Sequence, residues 1–127
     1  FNDFYPMVKN ALPELPQSIV HCFTGTKDEL KAFLDLGLYI GITGWICDPK
    51  RGMDVRGLLK YIPTDRLIVE TDAPYLMPKN LAVKPKNRRN EPKYLIKVVE
   101  EISSATNTKA QKIAEASTEN FKSLFGV

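Results

Sequence analysis

An α/β fold built on a parallel sheet is the class that the sequence predicts. Short β-rich runs alternate with amphipathic segments of helical spacing, and glycine or proline ends several of these segments. Parallel strands need a crossover between them, which is usually a helix, so this alternation favours a parallel sheet with right-handed connections. Polar residues also follow two of the β-rich runs, at the edge where parallel α/β sheets carry their chemistry.

The first half of the chain contains three predicted helices or strands after an opening helix. Apolar residues at helical spacing predict that opening helix, and they are Phe1, Phe4, Tyr5, Val8 and Leu12. The run "SIVHCF" (residues 18–23) predicts a strand. Thr26 and Glu29 form a capping-box pattern for a second helix that Gly37 ends, and "LYIGITG" (residues 38–44) predicts the next strand.

The second half continues the alternation. Val55, Leu58, Leu59 and Ile62 predict a helix that Pro63 stops, and "RLIVET" (residues 66–71) predicts a third strand. A polar, proline-bearing loop then extends to Asn90. Two helices complete the chain, over residues 92–105 and 108–125, and we expect the second to be interrupted near Ser117.

The 127 residues are expected to form a single partial domain. The apolar rhythm is already under way at Phe1, and three parallel strands are few for an independent sheet. We therefore expect residues 1–127 to be the last three strands, with their helices, of a larger parallel sheet. Exposed sheet edges would then favour self-association.

Composition excludes some classes of protein. The sequence is 43% hydrophobic and 26% charged, as in ordinary globular domains, and its apolar runs are far shorter than the roughly 20 residues of a membrane helix. Cys22 and Cys47 lack the spacing of a paired metal or redox motif, so free buried thiols are expected. These features predict a cytoplasmic protein.

A basic run is the main feature of the charge distribution. It contains seven cations against the single acid Glu91, and these are Lys79, Lys84, Lys86, Arg88, Arg89, Lys93 and Lys97. Such a run attracts phosphate, and it is also typical of a solvated loop and helix face. Trp45 and Tyr75 follow predicted strands, where each ring could stack on an unpaired base or pack at the rim of the sheet.

His21 and Asp72 are the residues that favour chemistry. His21 is the single histidine, near the end of the first predicted strand, and Asp72 follows the third. Ends of parallel strands share one edge, so both side chains could reach the same place. Alternation puts Glu70 and Asp72 on one face, where two carboxylates need a cation or donors. A divalent cation, an arginine, or salt bridges at the rim would each satisfy them.

Four motifs carry a resemblance to a known family. In order, "HCFTGT", "YIGITGWICDPKRG", "IPTDRLIVETDAPYLMP" and "RRNEP" closely resemble the carboxyl-terminal half of the TatD-type metal-dependent deoxyribonucleases. The resemblance implies part of a (β/α)₈ barrel of the metallo-dependent hydrolase kind. It also implies hydrolysis of DNA phosphodiester bonds with divalent cations, two in the full-length enzyme, for which magnesium, manganese or zinc fit the oxygen and nitrogen donors.

The resemblance also implies roles for individual residues. His21 and Asp72 would bind metal, and Asp72 would in addition take up the proton of the hydrolytic water. Glu70 would orient a neighbouring group, although a buried structural contact is the alternative. Arg88 and Arg89 would bind DNA phosphates, with rim salt bridges as the alternative, while Asn90 or Glu91 would cap the helix that begins near Pro92.

The family's His-x-His pair, its bridging glutamate and a further histidine have no counterpart in these residues. We therefore expect the 127-residue chain to be inactive, or nearly so, by itself. Two other functions stay open at this point. One is a metallohydrolase of the same barrel class that acts on carbon–nitrogen or ester bonds, and the other is a non-catalytic nucleic-acid-binding module that uses the basic run.

Overall fold

A computed structural model describes residues 1–127 and confirms the predicted alternation of helices and strands. The elements are α1 (Phe4–Ala11), β1 (Ile19–Val20), α2 (Lys27–Asp35), β2 (Tyr39–Ile42), α3 (Met53–Leu58), β3 (Leu67–Val69), α4 (Leu95–Thr106) and α5 (Ala110–Phe125). Short 3₁₀ turns follow α1, β2 and α3 and precede β3 and α4. None of the helices combines the length and the apolar character that crossing a membrane requires.

The three strands form one parallel sheet in the order β1-β2-β3. Ile19 is paired with Tyr39, and Ile40 is paired with Leu67. The central strand β2 is buried along its whole length, as expected for a parallel strand that is covered on both faces. All three strands therefore end at the same edge, which we call the carboxyl edge.

One face of the sheet packs on the helices and forms the core. Ile40, Ile42 and Leu67 lie on this face, in a cluster of 16 buried hydrophobic residues that also includes Val98 and Ile102 of α4. Ile40, Ile42 and Ile102 are completely buried, so truncation of any of them to alanine costs about 2 to 5 kcal/mol of stability. Gly41 lies on the opposite face, because side chains alternate along a strand.

The signals for helix ends are confirmed in the second helix. The Thr26 hydroxyl accepts a hydrogen bond from the Glu29 amide at 3.3 Å, and the Glu29 carboxylate accepts one from the Thr26 amide at 2.7 Å. This reciprocal pair satisfies two amide groups that have no partner inside the helix. Gly37 follows the helix at φ +78°, a conformation that glycine adopts without strain.

The strands are shorter than predicted, and the last helix is continuous. β1 ends before Cys22, which has φ +50°, and β3 ends before Asp72, which has φ +55°. A left-handed residue cannot continue a strand, so the first predicted strand stops early, and Asp72 turns the chain away directly after the predicted end of the third. The predicted interruption at Ser117 is wrong, because this residue is helical and its hydroxyl accepts the Val69 amide of β3 at 2.9 Å.

Candidate metal centre

The His21 imidazole lies between two carboxylates at the carboxyl edge. Its Nδ1 is 3.0 Å from Oε2 of Glu70, and its Nε2 is 3.1 Å from Oδ1 of Asp72. The His21 side chain is 58% exposed, whereas those of Glu70 and Asp72 are 18% and 28% exposed. The structure thus brings together three of the predicted site residues, with the ring open to solvent.

Glu70 is fixed by backbone contacts at the ends of the other two strands. Its amide donates to the Ile42 carbonyl at 2.8 Å, which extends the ladder beyond β3. Its carboxylate accepts the Cys22 amide at 3.0 Å and also contacts His21. The carboxylate therefore joins the ends of the two outer strands across the central one.

Gly41 of β2 provides the space for this carboxylate. A Cβ at position 41 would lie 2.1 Å from Oε2 of Glu70, far inside van der Waals contact. The carboxylate cannot retreat without losing its contacts with Cys22 and His21. Glycine at this position is thus a requirement of the site rather than of the strand.

Asn90 holds the loop that carries Asp72. Its side-chain amide donates to the carbonyls of Thr71 at 2.6 Å and Tyr75 at 2.7 Å, and its backbone amide donates to the Pro74 carbonyl at 3.0 Å. Asn90 is 5% exposed. These three bonds fix the segment around Asp72, whose left-handed backbone costs about 1 to 3 kcal/mol and needs such support.

The predicted capping role of Asn90 or Glu91 is wrong. The 3₁₀ turn over Pro92–Tyr94 begins after Glu91, and no side chain caps it. The side chain of Asn90 turns to the Asp72 loop instead, where it donates to two backbone carbonyls while its backbone amide donates to a third. Asn90 follows two arginines and precedes the start of a helical turn. Nothing in this local sequence indicates that its side chain binds the Asp72 loop.

The two carboxylates favour the protonated form of the imidazole. A hydrogen bond to Glu70, together with the negative charges of Glu70 and Asp72, raises the pKa of His21 above its ordinary value of 6.5, and partial burial offsets part of this effect. A cation at this position would replace the proton on Nε2 and would meet the same negative charge. The site therefore favours positive charge, from either a proton or a metal.

The donors fit a divalent cation in part. Two ligand atoms that each lie about 2.1 Å from one cation at right angles are about 3 Å apart, close to the 3.1 Å between Nε2 of His21 and Oδ1 of Asp72. Glu70 on Nδ1 matches the carboxylate that commonly orients a metal-binding histidine. No group of three or more His, Cys, Asp or Glu side chains is arranged to hold a metal. The chain thus offers two ligands for one cation, and a full shell needs more.

Arg88 and Arg89 lie in the same region but outside this cluster. Both side chains are exposed, and neither takes part in any of the chain's nine ion pairs. They precede Asn90, which ties them to the Asp72 loop. Lys79, Lys93 and Lys97 of the basic run pair with acids, so the unpaired cations are concentrated between residues 84 and 89.

The two cysteines are free thiols, as predicted. Cys47 is buried, and this burial raises its pKa to about 12, so the thiol stays protonated at neutral pH and is not an activated nucleophile. Cys22 is only partly buried, and its sulfur contacts the Thr43 hydroxyl at 3.2 Å. Burial raises the pKa of Cys22 as well.

Comparison with known proteins shows that the chain is similar to TatD-related proteins in sequence and in fold. The model of the family "TatD related DNase" matches residues 1–126. Among solved structures, the TatD homologue YjjV from Escherichia coli K12 superposes with a TM-score of 0.84 at 26% identity, over 99% of this chain and 46% of its own. A TatD family hydrolase from Entamoeba histolytica gives 0.81 at 26% identity, over 99% and 48%. The expected part of a (β/α)₈ barrel is confirmed.

Curated relatives are more similar in sequence. A "3'-5' ssDNA/RNA exonuclease TatD" from Rahnella sp. is 48% identical over 124 residues, which are 98% of this chain and 47% of that protein. A protein of the same name from Edwardsiella piscicida is 49% identical over 122 residues, 96% of this chain and 47% of its own length. The chain thus spans about half the length of the curated relatives it matches, and it belongs to the family of TatD-related DNases.

Proposed function

We propose that residues 1–127 are the carboxyl-terminal portion of a TatD-like barrel that hydrolyses DNA phosphodiester bonds with divalent metal ions. The observation that carries this proposal is the approach of Nε2 of His21 to Oδ1 of Asp72, 3.1 Å apart at the carboxyl edge. The names of the curated relatives further suggest single-stranded DNA or RNA, degraded from the 3' end, as the substrate. Two free cysteines suit a reducing compartment such as the cytoplasm.

His21 would act as a neutral ligand through Nε2. Glu70 would accept the proton on Nδ1, which fixes the tautomer that presents the lone pair of Nε2 to the cation. Asp72 would contact the same cation through Oδ1. Further ligands would come from the half of the relatives' length that these residues do not match.

Two magnesium, manganese or zinc ions would polarise the phosphodiester and make the attacking water more acidic. Asp72 would then accept the proton of that water on its carboxylate, which contacts His21 through Oδ1. Proton uptake at a carboxylate beside the reacting phosphorus needs little movement, because Asn90 fixes the Asp72 loop. In this proposal, His21 and Asp72 would help to position a metal ion, and Asp72 would accept the proton of the attacking water.

Arg88 and Arg89 would bind phosphates of the nucleic acid. Both guanidinium groups are exposed and free of ion pairs, and each can donate two parallel hydrogen bonds to a phosphate. Their attachment to Asn90 keeps them near the loop of Asp72. The two arginines would bind the nucleic-acid strand at one end of the loop, while Asp72 at the other end would contact the phosphate that is hydrolysed.

A chimera tests the proposal. The part of the Rahnella relative outside the matched 124 residues is joined to residues 1–127, and release of nucleotides from the 3' end of labelled single-stranded DNA is measured with Mg²⁺ or Mn²⁺. We expect metal-dependent hydrolysis that Asp72→Asn abolishes without a change in melting temperature. Folded but inactive chimera, or activity that survives Asp72→Asn, would contradict the proposal.

The 127-residue chain by itself is the matched comparison. We expect it to show little or no hydrolysis under the same conditions, since it offers two metal ligands. Binding of DNA that is unaffected by chelator, with no cleavage by the chimera, would instead favour the non-catalytic binding module.

A further inference from the structure

A cavity of about 190 Å³ lies between the loops that follow β2 and β3, at the carboxyl edge of the sheet. Gly44 and Trp45 line it from the β2 side, and Leu76 lines it from the β3 side. A Cβ at position 44 would lie 2.1 Å from the Leu76 carbonyl oxygen, so glycine allows the two loops to touch. Leu76 follows Asp72 by four residues, so the loop that carries Asp72 also lines this cavity.

The Trp45 ring is held in place at this cavity. Its Nε1 donates to the Arg51 carbonyl at 3.1 Å, and its half-buried side chain packs against the hydrophobic core. Trp45 also lines the cavity. A fixed, partly exposed indole is the surface on which an unpaired base stacks with little loss of side-chain entropy.

Two cations lie at the same cavity. Arg51 is exposed, its guanidinium carbon is 5.8 Å from the centre of the Trp45 ring, and it belongs to none of the ion pairs. Lys79 contacts the Asp48 carboxylate at 2.5 Å, and its side chain is 54% exposed. Asp48 also accepts the amides of Lys50 and Arg51, so it fixes both the loop and the position of Lys79.

We propose that this cavity binds one nucleotide unit of a single strand, with the base on Trp45 and the phosphate at Arg51 and Lys79. The volume is below the roughly 300 to 1,000 Å³ of pockets that enclose a drug-sized molecule, which suits a single nucleotide unit rather than a whole dinucleotide cofactor. An aromatic face beside an unpaired arginine matches a base and its phosphate. The proposal rests on the proposed function, since it names how the nucleic-acid substrate would be gripped.

Fluorescence of Trp45, the single tryptophan of the chain, reports directly on this cavity. The purified 127-residue chain is titrated with a short oligothymidylate in the presence of a chelator, and emission is recorded. We expect saturable quenching, weaker for thymidine and absent for inorganic phosphate. Arg51→Ala should weaken binding about tenfold and reduce the slope of log affinity against log salt by about 0.7, the value for one phosphate contact to a single strand.

Two further variants separate stacking from charge. Trp45→Leu, followed by anisotropy of a labelled oligothymidylate, should lose about tenfold in affinity, whereas Trp45→Phe should retain most of it. Lys112→Ala removes the same charge near the start of α5. Its neighbour Ile113 lines a cavity with Leu67 at the opposite edge of the sheet, so the affinity should change less than about twofold.

Unquenched emission at saturating oligothymidylate, or equal affinity of Arg51→Ala and the parent chain, would overturn the proposal. Because the titration is done without metal ions, an inactive chimera would not affect it. An active chimera together with an unresponsive Trp45 would in turn overturn the nucleotide pocket alone.

Discussion

The two ends of β3 are each held by a buried asparagine. At the amino end, the side-chain amide of Asn120 donates to the carbonyls of Thr64 and Leu67, both at 2.8 Å. At the carboxyl end, Asn90 donates in the same way to Thr71 and Tyr75. One chemical device is therefore used twice on the same strand.

The surroundings of the two asparagines differ. Asn120 supports the start of an ordinary strand, and it comes from a long, regular helix. Asn90 supports a loop in which Asp72 has a positive φ, and there Oδ1 of Asn90 and Oγ1 of Thr71 are buried without hydrogen-bond partners. Each such group costs about 1 to 3 kcal/mol. The amino end thus serves stability, while the carboxyl end accepts a loss of stability that fixes the position of Asp72.

Asn120→Ala should have the largest effect on folding. It removes the donor to a part-buried carbonyl of Thr64 and a buried carbonyl of Leu67, so we expect the free energy of unfolding to fall by about 2 to 4 kcal/mol in urea denaturation. Affinity for Mn²⁺ should not change under conditions where the variant is folded. Asn10→Ala, at an exposed position of α1, is the control and should stay within about 0.5 kcal/mol of the parent.

Asp72→Asn should have the largest effect on metal binding. It removes the charge of the carboxylate that we propose as a metal ligand, and we expect the affinity of the chain for Mn²⁺ in calorimetry to fall by about 100-fold or more. Asp65→Asn is the matched control, because Asp65 is an exposed carboxylate at the amino end of β3. Equal losses for the two variants would mean that the binding is a general effect of negative charge.

Asn90→Ala should show that the asparagines at the two ends of β3 have different roles. Loss of its bonds frees the Asp72 loop, so we expect about a tenfold loss of Mn²⁺ affinity in calorimetry. The loss of stability should be smaller than for Asn120→Ala, because the released backbone strain and the removal of an unpaired oxygen offset part of the lost hydrogen bonding. The comparison fails if Asn90→Ala destabilises more and leaves the Mn²⁺ affinity unchanged.

The smallest expected effect concerns pH. Since the folded pKa of His21 is raised above 6.5, its contribution to stability is fully present below pH 6.5 and is lost as the pH rises through the folded pKa. Mn²⁺ affinity should show the opposite trend and rise until the imidazole is neutral. The signal of the single imidazole in NMR measures this pKa directly. Asn120→Ala should keep the raised pKa, and Asn90→Ala should lower it, as Asp72 moves away.

The sequence was sufficient to place His21 and Asp72 at a common edge, because ends of parallel strands meet wherever the strands stop. It was less informative about how Asp72 arrives there. Alternation along an extended strand puts Glu70 and Asp72 on the same side, but the positive φ of Asp72 ends that alternation, and the two carboxylates contact different nitrogens of His21. Local propensity does not encode a backbone conformation that distant contacts impose.

The same reason explains the errors in strand length and in capping. "SIVHCF" is β-rich throughout, yet Cys22 leaves the strand, because its amide donates to Glu70, 48 residues away. Asn90 finds its partners 15 and 19 residues earlier, so no nearby pattern indicates them. Helix α2 was predictable because the capping box and Gly37 lie within the helix or directly beside it.

Gly41 of the central strand leaves the space in which the Glu70 carboxylate contacts His21. Any larger residue there would add apolar surface to the middle of the sheet, and a design that rewards tight packing would choose one. The added methyl group would displace the Glu70 carboxylate, and His21 would lose the acceptor that sets its tautomer. The position of the imidazole at this edge thus depends on the absence of a side chain in the strand behind it.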